Sequence, residues 1–497
     1  VRFLTAAFRE SYPEIWPTLV LVAGSMWLGA WKPAAAIFGF TLSVPLLSGL
    51  TQTALLTGAQ PLGLVFSALW LGVTARSTFR GQKTDDGGPF ADQPGRRTDR
   101  TTVTLITDLL ITAVLLSLSF QFWRHRDMPE LWSVFSNRSV FGYGEQFYFL
   151  SSAFLWLQGL YYFRTIITHT PGTATADWIR PLIASYGVTI AFFVLIQYRF
   201  DTPEGWALAG FQSPYEDISS LGSIAVTVFV FLVATQRRPV WPGLAFRIFC
   251  CIGMFVMVAA SWSRAAWLAT LVFLLLIAWL RISRRVTVLI ILSLLAAILV
   301  INANADRPFW KNQMYLMRLV TLVRFEKVTN KDAGRFNLYQ KGAAMIAEHP
   351  LLGFGIGSFY LTSVKFARPG DPNGHIPDFA HNIFLQLATE MGMPLAVFYT
   401  GICGWILYWG LRSWIEIKSA EQKQSQHALT LLGITLSLGV YLETGMTGNS
   451  LNVYISNQLL FWFLMAAVLA AGQREYEREG ESQRESGVGK ITASLGL

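Results

Sequence analysis

Charge is what this 497-residue chain lacks most: Asp, Glu, Lys and Arg make up 14% of it, while 53% is hydrophobic. A soluble protein of ordinary composition carries about 25% charged residues. The deficit is filled by lipid-compatible surface, with 18 Trp and 36 Phe among it. Length alone would allow roughly three soluble domains, but the apolar runs follow one another too densely for that. The largest polar interval, 303–380, is near the lower size limit of an independent domain. Cysteine is scarce as well. Cys250, Cys251 and Cys403 all lie inside apolar runs. Adjacent Cys250 and Cys251 are poorly placed to bridge each other and no metal-ligand spacing is present, so the three read as small core residues. No internal repeat is visible.

What is present is a series of apolar runs, each near the 20 residues that a membrane-spanning helix needs. They fall at 15–31, 34–56, 61–75, 102–121, 145–163, 178–198, 217–235, 244–261, 265–280, 286–302, 381–411, 428–446 and 452–472. The expectation is an all-α, polytopic membrane protein of 12–13 spans with one long outer loop containing amphipathic helices. The first run starts near Ile15 and is followed by more spans, so it reads as an anchor rather than a cleaved signal. Residues 1–198 are expected to be membrane scaffold, 199–472 a membrane core that includes the loop 303–380, and 473–497 a charged, disordered cytoplasmic tail.

The net charge of +9 would suggest nucleic acid in a soluble protein. Here it follows from the gathering of Lys and Arg in cytoplasmic loops, and no nucleic-acid partner is expected. The interval 76–101, the turns at Arg237–Arg238 and Arg281–Arg285, and the stretch holding Arg412, Lys418 and Lys423 are basic, and all fall on one side. The opposite, outer side receives 122–144, 199–216, the turn 261–264, the loop 303–380 and the turn 447–451. The long loop holds ten Lys or Arg against six Asp or Glu. That excess is unusual outside, and an anionic ligand is one explanation.

Three segments on this outer side carry candidate chemistry. In the turn Ser261–Trp267, Arg264 stands where one span ends and the next begins. It is either an interfacial arginine between Trp262 and Trp267 or an anion ligand in a turn where basic residues are depleted. In 332–359, Phe336, Tyr339, Ala343 and Ile346 recur at helical spacing, with Asp332 able to cap the start and Pro350 to stop the end. This predicts an amphipathic surface helix. Arg335 falls in its first turn, where backbone N–H groups also favour anions, and arginine grips phosphate bidentately; a solvated basic face is the alternative. Gly353-Phe-Gly355-Ile-Gly357 follows no strand and is followed by no GK[ST], so it is no phosphate loop and reads as a tight, closely packed turn.

The third segment is His375–Pro394. His381 and Asn382 open the long run 381–411, and an imidazole is able to take a proton from a hydroxyl near neutral pH. Asp378 can orient the ring. The bland alternative is an interfacial histidine bound to a loop; a metal set of His375, Asp378 and His381 is a third reading with irregular spacing. Glu390 lies inside the apolar run, where a carboxylate defaults to a functional hypothesis. Glu443 is similar. For both, a structural role in tying helices together competes.

Together these segments resemble the C-terminal signature of the O-antigen ligase and O-antigen polymerase family. Its pattern is a Ser-Arg turn between two spans, a loop with Gly-Arg and Pro-Leu-Leu-Gly-x-Gly, then His-Asn opening a helix with Glu and Gly downstream. Here these are Ser263-Arg264, Gly334-Arg335, Pro350 to Gly357, His381-Asn382 and Glu390-x-Gly392, with separations of 71 residues from Arg264 to Arg335 and 46 from there to His381. The outer loop 199–216 also resembles the family's, with Arg199, Phe211 and Pro214 ahead of a span, although Tyr215-Glu216-Asp217 stand where an Asn is usual. The resemblance covers about 200–450; the N-terminal half is similar only in hydropathy.

The resemblance implies a metal-independent, cofactor-free glycosyltransferase of the bacterial inner membrane with its site facing the periplasm. It implies a polyprenyl (undecaprenyl) diphosphate-linked glycan as donor, and a glycan or lipid with a free hydroxyl as acceptor. His381, Arg335 and Arg264 are then the catalytic candidates, and Arg199, Asn382, Glu390 and Asp378 the substrate-binding ones. Ligase-type transfer is the first expectation and polymerase activity the alternative. A transporter, which inverted repeats and broken helices with polar residues would mark, is the rival from another class.

Overall fold

The computed structural model describes residues 15–52, 68–73, 96–124, 148–169, 218–235, 263–304, 330–367, 379–420, 426–447 and 458–472, with short pieces within 178–186 and 248–258. These residues form helices and turns, with no strand among them. The helices are α1 (Ile15–Trp31), α2 (Pro33–Gln52), α3 (Arg96–Arg124), α4 (Tyr148–His169), α5 (Ile218–Ala234), α6 (Arg264–Ile277, extended by a π-helical turn Ala278–Ile282) and α7 (Arg284–Asn304). There follow α8 (Asn330–Glu348), α9 (Phe359–Thr362), α10 (Ile383–Met391), α11 (Met393–Ala420), α12 (Gln426–Thr447) and α13 (Gln458–Gly472).

Among the described residues four helices are long and apolar enough to cross a membrane: Thr102–Arg124, Arg284–Asn304, Met393–Ile417 and His427–Met446. The all-α, polytopic expectation holds. Burial ranks these spans. The apolar window of α12 is 83% buried and that of α7 only 6%, so α12 is the central post and α7 lies outermost. Around α12 pack α5, α6 and α11. Contacts fall where small residues let backbones approach, as in membrane bundles generally: Gly433 lies against Phe231 and Thr235, Gly439 against Phe273 and Gly410 against Thr435. An aromatic cluster binds the halves of the chain. Trp156 of α4 meets Tyr399 of α11 at 5.3 Å and Trp462 of α13 at 6.3 Å between ring centroids. Asp108, a charge inside the apolar stretch of α3, is answered by Arg164 of α4, as a carboxylate at membrane depth requires.

The same contacts fix the relative sense of the helices. Arg281 donates to the carbonyls of Val233 (3.2 Å) and Ala234 (2.6 Å), so α5 and α6 run parallel and end together. Both run antiparallel to α12, which in turn packs antiparallel to α11. The first residues of α6 and α11 therefore share one end of the bundle. The last turn of α3 joins them there, because Gln121 reaches the loop after α8.

One expected span is corrected. The run 381–411 is not a single helix but breaks at Gly392 into α10 and α11. Two residues cause it. Pro394 has no N–H to offer the carbonyl of Glu390, and Gly392 takes φ +90, a conformation other residues avoid. The freed carbonyls find other donors: Thr389 O accepts from Phe354 N at 2.9 Å, and Glu390 O from Gly355 N at 2.7 Å. Met393 N turns to Pro350 O at 2.8 Å.

Candidate functional site

The site region is assembled on the loop between α8 and α9. Pro350 ends α8, Gly353 N closes a turn onto His349 O at 3.1 Å, and the chain then folds back between α3 and α10. From the α10 side, Glu390 holds it. Its Oε2 accepts from Gly357 N at 2.8 Å, and its Oε1 accepts from Phe359 N at 3.3 Å and from Gln386 Nε2 at 3.0 Å. From the α3 side, Gln121 Nε2 donates to Phe354 O at 2.9 Å, Arg124 to the same carbonyl at 3.4 Å, and Ser117 Oγ accepts from Ile356 N at 2.8 Å. Gly357, at φ +71, packs so tightly against the backbone of Phe149 that no side chain fits. The glycine segment is thus a buried, doubly clamped plug.

Glu390 is fully buried just ahead of the span Met393–Ile417. Burial pushes its carboxyl up to about 7, against the downward pull of the three donors. Both its oxygens tie α10 to the loop segment Gly357–Phe359. A broken helix beside a buried carboxylate is the mark of a transporter named above; here the groups at the break are spent on the loop's backbone.

His381 stands at the other end of α10. It has φ +52, and among the described residues it is alone in positive φ without being glycine. Such a conformation costs on the order of 1–3 kcal/mol and persists where surroundings impose it. The cause lies next to it. Asn382 is the N-cap of α10, its Oδ1 accepting from Phe384 N and Leu385 N, both at 3.0 Å, while Ala380 is buried in a small core with Leu338, Met345, Phe354 and Phe359. The chain must leave that core and enter the cap within one residue. His381 and Asn382 remain partly exposed.

α8 packs on α10, with Gly342 against Leu385. Leu338 and Met345 face the small core. The face packed inward is made by Leu338, Lys341, Gly342 and Met345, while Phe336, 63% exposed, and Ala343 lie on the outer side. α8 also starts at Asn330 rather than after Asp332, which puts the exposed Arg335 in the second turn, beyond the free N–H groups of the helix start. Since Leu338 and Ala380 share one core, Arg335 and His381 rise from neighbouring elements. Arg264 opens α6 behind the N-cap Ser263, whose side chain accepts from Ala266 N, at the same end of the bundle. Arg199, Asp378 and His375 lie outside the described residues. Among the described residues no group of three or more His, Cys, Asp or Glu gathers as a metal site.

Residues 249–400 match the family model described as O-antigen ligase. Over this segment the chain is similar to the O-antigen ligase family. The matched stretch contains Arg264, Arg335, Asp378, His381, Asn382 and Glu390, but not Arg199. No curated protein matches the chain. The similarity suggests ligase- or polymerase-type glycosyltransferase activity, and the apolar helices suit a membrane protein. Sequence reasoning missed Ser117, Gln121 and Arg124, which it had assigned to scaffold. Their signal was faint: polar residues at spacings of four and three at the outer end of an apolar run.

Proposed function

We propose that the chain moves a glycan from a polyprenyl diphosphate carrier onto an acceptor hydroxyl at the periplasmic face of the inner membrane, in the manner of an O-antigen ligase. The acceptor oxygen attacks the anomeric carbon, its proton passes to the imidazole of His381, and the bond to the diphosphate breaks, releasing polyprenyl diphosphate. General-base assistance of this kind is worth about 10²–10⁴ in rate. Arg335 and Arg264 stabilise the negative charge that develops on the leaving diphosphate. Asn382, Arg199 and Asp378 serve the substrates or the histidine. Glu390 acts from behind as a positioning residue: it fixes the plug that α8 and α10 pack against.

The observation that carries this reading is His381 in a left-handed, partly exposed turn at the mouth of α10, beside the helix that bears Arg335. Backbone strain that neighbours impose on an ionisable side chain is a frequent mark of active sites. The test is attachment of polymer to lipopolysaccharide in a ligase-null strain that still makes the carrier-linked glycan. The chain restores attachment and His381→Asn, which tolerates positive φ, does not. Chain-length growth in a polymerase-null strain, without attachment, assigns it to polymerisation instead. Full activity of His381→Asn removes the histidine from the mechanism.

A further inference from the structure

Leu351 and Leu352 are 70% and 84% exposed. Both stand in the tightest part of the structure. Pro350 O is bonded to Met393 N, Gly353 N to His349 O, and Leu351 O is pressed against Gly392. Two residues on, Phe354 turns the other way, into the small core. The turn has no freedom to bury the leucines; it presents them. They sit at the first residue of the span Met393–Ile417, whose own outward residues Val397 (62% exposed), Phe398 and Trp405 are apolar. A span's outward apolar face is lipid-facing, and the leucine pair continues that face at its end.

We propose that Leu351 and Leu352 form a wedge that enters the bilayer leaflet on the loop's side, next to the start of α11, and seats α8 at the membrane surface. The occupant is bulk phospholipid. Exposed apolar residues on a rigid rim, continuous with a lipid-facing surface, are the signature of interfacial insertion. With the wedge seated, the exposed Phe336 on α8 has the same surface within reach, and Arg335 is held near headgroup depth. The proposal rests on the membrane-spanning fold alone and stands or falls independently of the transfer reaction.

The test uses full-length protein in nanodiscs of phosphatidylethanolamine and phosphatidylglycerol. Cys250, Cys251 and Cys403 are replaced by Ala, and a nitroxide is attached at Leu352→Cys. Val397→Cys gives the lipid reference and Glu348→Cys, at an exposed charged position, the aqueous one. Relaxation by oxygen and by a nickel chelate is compared. The expected result is that position 352 follows Val397, with oxygen collisions exceeding nickel collisions several-fold. Leu351→Cys, scored the same way, gives a second reading if the first variant is poorly folded by size exclusion. A label at 352 that follows Glu348 overturns the wedge. So does protection from both relaxants, which means a covering protein surface. So does protection that arises only when polyprenyl diphosphate is added, which means a substrate-lipid subsite.

Discussion

The two ends of α10 differ in how their polar groups are used. At its C-terminal end Glu390, Thr389 and the glycine segment 353–357 are buried, and Glu390's two carboxylate oxygens are bonded to Gly357, Phe359 and Gln386. At its N-terminal end, nine residues away, His381 and Asn382 remain partly open, with the exposed Arg335 on the adjoining helix. By residue type both ends advertise chemistry, since a Glu in an apolar run is as unusual as a His at a helix mouth. The difference teaches that an odd residue in an apolar run is first a question of who satisfies it. Where such a residue is buried and bonded on both oxygens, as Glu390 is, it shapes the site; where it stands partly exposed, as His381 does, a substrate can reach it.

That contrast yields a graded series of expectations. His381→Asn should produce the largest functional loss, about 10²-fold or more in glycan transfer, with unchanged protein level and melting temperature. A matching fall in stability would erase the distinction between the two ends. Gly392→Val should do the opposite, removing folded protein before chemistry is tested. A β-branched residue at φ +90 costs at least ~1–3 kcal/mol, and its Cβ would strike the Leu351 carbonyl. Fluorescence-detected size exclusion reads this directly.

Glu390→Gln should act through stability and its pH dependence. Burial raises the folded-state carboxyl from 4.5 to about 7, so the folded chain holds the proton more tightly than the unfolded chain does. The stability this group contributes is full below about pH 4.5 and is lost as pH rises through about 7. Melting temperature should therefore fall between pH 5 and 8 in the wild type and fall less in Glu390→Gln. The variant should also lose about 1–3 kcal/mol at low pH, because its NH₂ faces donors. An unaltered pH slope would mean that Glu390 is solvated. The smallest effect is expected from Ser117→Ala, about 1 kcal/mol, visible as a few degrees in melting. If it instead abolished transfer with no melting change, the α3 side would belong to the substrate rather than to the clamp.

Hydropathy made most of the fold legible. The ends of α3, α4, α5, α7 and α12 fall within a few residues of the apolar runs that predicted them, apart from the basic start of α3 and the last turn and a half of α4, because each run must bury or lipidate a full helix. The candidate site was read from residue types in order, Ser263-Arg264, Gly334-Arg335, His381-Asn382 and Glu390-x-Gly392, and the stretch similar to the O-antigen ligase family contains all of them. Two features escaped. The break at Gly392 leaves the hydropathy of 381–411 untouched, since Met393 and Pro394 are apolar; only Gly392 itself and Pro394's missing N–H betray it. The inward-packed face of α8 was not visible because Lys341 and Gly342 occupy buried positions, and a search for large apolar residues passes over both. The clamp from Ser117 and Gln121 is a contact between residues more than 230 positions apart, which no local pattern encodes.

The nine-residue length of α10 makes it a gauge. One end sets the turn of His381 and the other sets the register of the Glu390 carboxylate on the loop. Inserting or deleting a single residue between them would rotate one end against the other by about 100° and shift it by about 1.5 Å. The apolar profile, the number of spans and the insertion of the chain into the bilayer would all survive such a change. Natural variation in this stretch should therefore be free in the identity of its outward residues and strict in their number.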